Sequence, residues 1–405
     1  MLASEGKIVE KLQRPEPAAF ILGDSRGHAL IYARSLGRKG ITTVIVDTEK
    51  GIGVRSRYCQ GPRGDTVGDE SKLLAFLERV GKTLPTKGVL ISTADTHVLL
   101  MSRNRSMLSQ YYEFVLPEAS VVERLINKQS QYQHAASIGM PMPKTYILDD
   151  FHDINDVADT VEYPCIVKPV FSNPWARYRQ SAGLKGWKKL ATAESPTQLT
   201  RTYREMTKSG VILVVQELIG GGDDQIYALD AYLKRDSEPV AMFVRQKLRQ
   251  WPANFGDGCH SISTRQHEVV ELGLKLLESV NYAGLANIEF KKDPQDGRFK
   301  LMEINVRGSG HVGLALDSGV DLPIIAYKDA LREPVEPVKS YREGVIWTDL
   351  GQDFGSFLHY YRNKQLGLWS WLRSVKKTDS HAYFSWDDPL PAVYRGLQLI
   401  GHLFR

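Results

Sequence analysis

Glu303, Asn305 and Arg307 occupy alternate positions of the run Leu301-Met302-Glu303-Ile304-Asn305-Val306-Arg307-Gly308. Alternate side chains of a β-strand share a face. These three polar groups therefore project from one side, while Met302, Ile304 and Val306 hold the other against a core. A carboxylate and an amide oxygen two residues apart suit a hard cation such as Mg²⁺, above all one already carried by substrate phosphates. Just upstream, Ala286-Asn287-Ile288-Glu289-Phe290 reads as a second strand, joined to the first by the turn-rich Asp293-Pro294-Gln295-Asp296-Gly297. A hairpin there brings Glu289 toward Glu303, and two converging carboxylates repel unless a cation lies between them. A half-buried hairpin whose polar residues only meet water is the competing reading of this stretch taken alone.

Further upstream, Tyr163-Pro164-Cys165-Ile166-Val167-Lys168-Pro169 is a short apolar strand that delivers Lys168 at its end, a position fixed by a rigid element. Asn127-Lys128 falls inside a helix predicted over 125–138, stopped by Gly139 and the extended Pro141-Met142-Pro143. Either lysine by itself fits an ordinary surface position equally well. The apolar strand 211–215 runs into Gln216-Glu217-Leu218-Ile219-Gly220-Gly221-Gly222-Asp223-Asp224. Such an edge can read a purine, with backbone groups for the ring edge, Leu218 and Ile219 for the flat faces, and an acid for the sugar hydroxyls. A plain β-turn is the alternative.

These groups need a scaffold, and 405 residues are too many for one ordinary core. Residues 18–22, a helix over 28–38 and the strand 41–46 make a β-α-β unit closed by Asp47. The glycines of Gly23-Asp24-Ser25-Arg26-Gly27 lack G-x-G-x-x-G spacing, so they are read as turning the chain and not as binding a dinucleotide. Helices over 71–81 and 95–110 around a strand at 88–93 complete a parallel α/β domain. Strands follow at 227–233 and 239–245, then Gln246-Lys247-Leu248-Arg249-Gln250-Trp251-Pro252, a loop at 254–258, the strand 261–264 and a helix from 266 to about 280. His311, after Gly308-Ser309-Gly310, is read as a loop residue. The Trp- and Arg-rich tail 335–405 carries amphipathic helices near Trp369, Trp371 and Leu372 and over 389–405. They are expected to pack onto the body, with peripheral contact to a membrane surface as the alternative.

The formal charge of +5 is spread along the chain, which suits phosphates and carboxylates better than nucleic acid. Cys59, Cys165 and Cys259 are far apart and in no ligand spacing, so a reduced compartment without structural zinc is expected. No apolar run reaches membrane-spanning length and no signal pattern opens the chain, so the expected location is cytoplasmic.

In this order the motifs resemble the ATP-grasp superfamily over most of residues 18–332, and most closely its carboxylate–amine ligase branch that includes D-aspartate ligase-like proteins. The resemblance implies a mixed α/β and α+β architecture: an N-terminal Rossmann-like parallel α/β domain (18–117), a two-lobed ATP-grasp fold (118–215 and 216–334) and a helical C-terminal extension (335–405). It implies ATP and Mg²⁺ as cofactors. Lys128 and Lys168 would meet the nucleotide phosphates, and Gln216, Glu217, Leu218 and Ile219 would form the adenine hinge. Asp223 or Asp224 stands for the ribose acid, and Glu289, Glu303 and Asn305 for the metal ligands. Arg307 would attend the transferred phosphate or a substrate carboxylate, and Lys247 and Arg249 would touch phosphate or substrate. Asn127 departs from the acid that often precedes the first lysine. Ser172-Asn173-Pro174-Trp175 departs from the glycine-rich flap of many relatives, and a cation in 177–189 is a candidate to help cover the phosphates.

The implied reaction activates a carboxylate as an acyl phosphate, releases ADP and joins the acyl carbon to an amine of an amino acid, peptide or cell-envelope metabolite. Asp257, His260 and His311 are the candidate bases. Three other activities compete: carbamoyl-phosphate or carboxyphosphate formation, a silent ATP-binding scaffold, and an NAD-dependent oxidoreductase on the N-terminal unit. The partners are small molecules, nucleic acid is not among them, and a homodimer is common among relatives.

Overall fold

Short apolar runs near the N-terminus pair as a parallel sheet. Strands β1 (Ala19–Leu22), β2 (Thr43–Val46), β3 (Gly88–Ser92) and β4 (Tyr112–Glu113) lie in the order β2-β1-β3-β4. Every residue of β1, β2 and β3 is buried, as continuous apolar strands covered on both faces should be. Helix His28–Arg38 is where its apolar spacing predicts, and Asp69 caps Glu70–Gly81 by accepting from the Ser71 and Lys72 amides. The expected single helix over 95–110 is two, Asp95–Arg103 and Arg105–Leu108. The side-chain amide of Asn104 donates to the Leu100 carbonyl at 2.9 Å and competes with the backbone ladder there.

This computed structural model describes residues 12, 15–23, 27–46, 51–60, 69–148, 154–170, 190–208, 210 and 212–403; Asp24, Ser25, Arg26, Asp47, Ser172, Asn173, Pro174, Trp175 and the segment 177–189 lie outside the described residues. The chain divides into two compact units. The larger comprises Met1–Val122, Gly222–Ile288 and Asn305–Arg405, the smaller Glu123–Gly221 and Glu289–Ile304.

The smaller unit is built on the antiparallel strands β5 (Thr145–Leu148), β6 (Cys165–Pro169), β7 (Ala191–Ala193) and β8 (Leu213–Glu217), ordered β5-β8-β6-β7. Val167, Leu213 and Val215 share its core with Leu199 and Met206 of helix Pro196–Thr207. Each such burial contributes about 1.5–3 kcal/mol. The helix predicted over 125–138 is interrupted. Ala119–Ile126 ends, and Asn127, extended at φ −79° and ψ 113°, accepts from the amides of Gln129 and Ser130 to start Lys128–Ser137. An acid is not required before Lys128, because an asparagine caps as well.

The remaining strands are β9 (Ile226–Leu233), β10 (Pro239–Trp251), β11 (Asp257–Thr264), β12 (Gly284–Lys292), β13 (Phe299–Asn305), β14 (Ile346–Thr348) and β15 (Ser380–His381). They form one sheet ordered β13-β12-β9-β10-β11-β14-β15. Two expectations need correction. First, β10 continues past 245 to Trp251, with register shifts on either side of Arg249 where it pairs with β11. Second, the tail is not purely helical. β14 joins β11 antiparallel and β15 joins β14 in parallel, alongside helices Leu350–Arg362, Leu368–Lys376 and Leu390–Leu403. Strands of three and two residues are too short to leave a periodic pattern.

Within the larger unit, Ile21 and Ile31 share a core with Tyr232, Phe243, Leu314 and Trp347. The tail is also tied by charge: Arg34 Nε meets Asp388 at 3.0 Å in a buried pair, Ser56 donates to the same carboxylate at 2.7 Å, and Tyr58 donates to Asp387 at 2.7 Å. Among the described residues no helix is long and apolar enough to cross a membrane.

Candidate active site

Strand β6 holds Lys168 in the smaller unit, 8% exposed. Its ammonium donates to the Tyr132 hydroxyl at 2.6 Å and to Gln216 Oε1 at 2.8 Å, with the Tyr132 ring centroid 5.0 Å away. All of these partners are neutral. The Lys168 ammonium is lowered to about 7, by burial first and by the like charge of Lys128 second, with Glu303 opposing both. Gln216 is fixed in turn, its Nε2 donating to Thr145 Oγ1 at 2.7 Å, so its buried side chain positions Lys168. Lys128 opens helix Lys128–Ser137, and its Nζ lies 3.4 Å from Glu303 Oε1. Tyr132, one turn further along, donates to the Met302 carbonyl at 3.2 Å. Two lysines and one carboxylate thus converge in this unit. A lysine kept near neutrality by burial is placed to gain charge when an anion arrives.

The segment Gln216-Glu217-Leu218-Ile219 adjoins this cluster through Gln216. The Glu217 amide donates to the Lys144 carbonyl at 2.9 Å, and the Glu217 carboxylate accepts from the Lys144 amide at 3.1 Å. Lys291 donates to the carbonyls of Ile219 and Gly221 at 2.9 and 3.2 Å, while Ile219 is buried and Leu218 half-buried. Glu217 therefore has its side chain engaged, and the apolar surface comes from Leu218 and Ile219. Glu289, half-buried between Ile288 and Phe290, belongs to this unit as well.

The larger unit holds Asn305 and Arg307. Asn305 Nδ2 donates to Asn287 Oδ1 at 3.2 Å, and Asn287 Nδ2 donates to Asp230 Oδ1 at 3.0 Å. Arg245, 1% exposed, pairs with Asp230 at 3.3 Å, and Arg307 Nε lies 3.3 Å from Asp95. Ile304 and Val306 are 4% and 1% exposed, as the alternation requires. Phe299 and Leu301, on the parity of Glu303, are buried too, so that face turns polar only toward the end of β13.

Two sequence expectations change here. Arg249, expected to touch phosphate or substrate, closes its guanidinium on Asp353 instead. Nε–Oδ1 is 2.6 Å and Nη2–Oδ2 3.0 Å, with Ser374 Oγ also at 3.0 Å from Nη2. The register shift beside Leu248 re-aims Arg249 out of the row formed by Arg245 and Lys247. Asp223, one of two candidate ribose acids, is 5% exposed and accepts from the Gln250 amide at 3.0 Å, Gln250 Nε2 at 2.7 Å and the Tyr360 hydroxyl. Asp224 is the exposed member of that pair. Lys247 is buried and beside His311, which is also buried.

Sequence reasoning missed Tyr132, Asn287 and Arg245. The signals were present: Tyr132 stands at i+4 from Lys128, Asn287 at i−2 from Glu289, and Arg245 at i−2 from Lys247.

Residues 214–350 match the family described as ATP-grasp in the biosynthetic pathway with Ter operon. Over 230 residues the chain is 31% identical to D-aspartate ligase of Enterococcus faecium (strain Aus0004), covering 55% of this chain and 53% of that protein. It is 22% identical to D-alanine–D-alanine ligase of Pseudomonas putida (strain GB-1), covering 47% and 56% respectively. The chain thus spans about half the length of these curated relatives. Among solved structures, N5-carboxyaminoimidazole synthetase from Staphylococcus aureus complexed with ADP superposes with a TM-score of 0.63 over 86% of each chain at 15% identity. L-amino acid ligase from Bacillus licheniformis gives 0.59 over 80% of this chain and 76% of that one, also at 15% identity. Those two likenesses are of fold. The match to the ATP-grasp family model is carried by residues 214–350.

Proposed function

We propose that the chain is an ADP-forming carboxylate–amine ligase that builds an amide through an acyl phosphate. The observation that carries this reading is the buried Lys168 with Lys128 and Glu303 beside it, in a chain similar to D-aspartate ligase. In this reading Lys128 and Lys168 neutralise nucleotide phosphates, and Leu218 and Ile219 cover the faces of the adenine. Asp224 takes the ribose hydroxyls. Lys247 and Arg307 orient the transferred phosphoryl group and the carboxylate that attacks it. Arg249 and Asp223 support the scaffold.

Among the described residues no cluster of three acidic, histidine or cysteine side chains forms a ready metal cage. The donors offered are Glu289, Glu303 and Asn305, two carboxylates and an amide. That set fits Mg²⁺, which keeps several waters and relies on substrate phosphates. When bound, the ion would neutralise charge between phosphate oxygens.

The parallel order β2-β1-β3-β4 supports reading 18–117 as the Rossmann-like domain on the substrate side, with 118–215 and 216–334 as the two ATP-grasp lobes and 335–405 as the extension. Leu390, Val393 and Leu397 are exposed at 61, 57 and 62%, at i, i+3 and i+7 along one helix, which supports a peripheral membrane contact there. Sedimentation tests the homodimer implied by the resemblance.

The direct test presents pooled carboxylates and pooled amines with MgATP and reads ADP release and product masses. ADP formed only when both pools are present, with a product heavier by the amine less water, supports the reading. Absence of ADP across the pools overturns it.

Lys168 adds a second expectation. Its ammonium would be near-neutral above about pH 7 in the folded chain, and phosphate would recharge it. Nucleotide binding at about pH 8 should therefore take up close to one proton, read by calorimetry in buffers of different ionisation enthalpy. Lys168→Arg should abolish the uptake. The unfolded lysine keeps its proton up to its ordinary value of 10.5, so this residue makes stability rise with pH between about 7 and 10.5. Lys168→Met should flatten that rise.

A further inference from the structure

A narrow cavity of about 40 Å³ lies wholly inside the larger unit, where helix His28–Arg38, β11, the loop after β13 and the C-terminal tail converge. Its walls include Gly27, Gly258, His311, Trp347, Asp349 and Tyr383. A Cβ on Gly27, which adopts φ +79°, would come within 2.9 Å of the Tyr383 ring, and one on Gly258 within 3.0 Å of His311 Nε2. Bare backbone at both places leaves the cavity its room.

Apart from the imidazoles of His28 and His311, the ionisable side chains of the lining are carboxylates and the Tyr383 phenol. Asp349 is 3% exposed and accepts from the Gln352 amide at 3.2 Å, Gln352 Nε2 at 2.9 Å and the Tyr383 hydroxyl at 3.1 Å. Those donors are neutral, so they orient the carboxylate without cancelling its charge. Asp257 adds a second carboxylate at the rim, and among the described lining residues there is no lysine or arginine. His311 Nε2 lies 2.9 Å from the Gly258 carbonyl, which only accepts, so Nε2 carries the ring proton. Burial beside Arg245 and Lys247 keeps that ring neutral, and its Nδ1 is then an acceptor. Trp347, with its ring centroid 4.4 Å from that of His311, supplies a flat aromatic wall. A buried negative charge, an imidazole acceptor and an aromatic face together favour a small cation. An anionic group would meet like charge. Arg245, Lys247 and Arg307 belong to the same unit and are not among the residues that line the cavity.

We infer that this cavity is the subsite for the amine partner, which it takes as a primary ammonium group held by Asp349 and Tyr383. The assignment rests on the ligase reading for the ligand's identity, and it gives the C-terminal tail a role in selecting the second substrate. Segment Asn305–His311 leads from the proposed metal and phosphate residues to this wall, so the ammonium is delivered beside the stretch that handles the activated carboxylate.

The test needs no turnover. The full chain, labelled at isoleucine and alanine methyls, is titrated with ethylammonium and, in parallel, with neutral ethanol. Ile31 and Ala382 line the cavity and report on it. Saturable shifts of both methyls with ethylammonium and not with ethanol are expected. Asp349→Asn should weaken that binding by at least about tenfold, the worth of one short charged contact. Asparagine still caps helix Leu350–Arg362, so this variant loses charge and keeps the fold. Tyr383→Phe should weaken binding more modestly, and Glu78→Gln, which removes a distant surface carboxylate, should leave it unchanged. Equal shifts with ethanol, or full binding in Asp349→Asn, would overturn the assignment. If the ADP-release screen succeeds while the methyls stay silent, the ligase reading stands and this subsite falls. If the methyls respond as described and no ADP forms, the cavity is a cation site and the ligase reading falls.

Discussion

Glu303→Gln and Asn305→Ala are each expected to lower ATP-dependent turnover by about a thousandfold, because the metal-holding role proposed for them makes each worth several kcal/mol of charge stabilisation in phosphoryl transfer. Folding should be nearly untouched. Glu303 has a side chain 42% exposed, and its ion pair with Lys128 is the kind of partly solvated contact that contributes at most about 1 kcal/mol. Asn305 gives up its hydrogen bond to Asn287 and a long one of 3.5 Å from Arg307 Nη2, about 1 kcal/mol or less each. Ile304 and Val306 keep the opposite face of the strand in its core. Steady-state assays across a magnesium titration, beside thermal melts, separate the two effects. Turnover within a few-fold of the native chain in both variants would show that the metal ligands are elsewhere. A melting loss that tracks the activity loss would make the strand a structural element and not a catalytic one. Glu303→Gln should also shift the proton uptake on nucleotide binding to lower pH, because Glu303 supports the charged form of Lys168.

The elements carrying this chemistry were legible where their pattern was local. The alternation through Ile304 and Val306, the helix His28–Arg38 and the buried run ending at Lys168 all follow from side-chain periodicity, and the structure contains them. What the sequence did not convey was one local cap and several pairings at a distance. Asn127 looks like an interior helix residue until its side chain is seen capping the next helix. Lys247 and Arg249 look like same-face neighbours, and an irregular register against β11 separates them. The tail strands Ile346–Thr348 and Ser380–His381 exist because an edge of the sheet is there to receive them. Asp223 reads as a sugar-binding acid from its place after three glycines, yet its partners Gln250 and Tyr360 come from later segments of the chain.

Arg249 supplies the sharpest test of that distinction, because the two roles assigned to it predict opposite outcomes. Its guanidinium and the fully buried Asp353 share two hydrogen bonds, and Trp371 Nε1 adds a third to the carboxylate at 2.8 Å. Phe357 stacks on Trp371 at 4.6 Å, so the pair pins helices Leu350–Arg362 and Leu368–Lys376 to β10. Removing one partner strands the other charge in a low-dielectric site, so Arg249→Met or Asp353→Leu alone should each cost about 3–5 kcal/mol. The double variant Arg249→Met with Asp353→Leu removes both charges and should recover much of that loss, since apolar replacements of a buried pair are often neutral. Urea midpoints at constant slope measure the cycle. Activity per folded molecule then decides the role. If Arg249 holds the tail, the double variant works at close to native kcat/KM. If it touches a phosphate, the double variant melts normally and loses about a hundredfold or more. The geometry favours the first outcome, because Asp353 and Ser374 take Nε and both hydrogens of Nη2, which leaves only Nη1 and no complete fork for a phosphate.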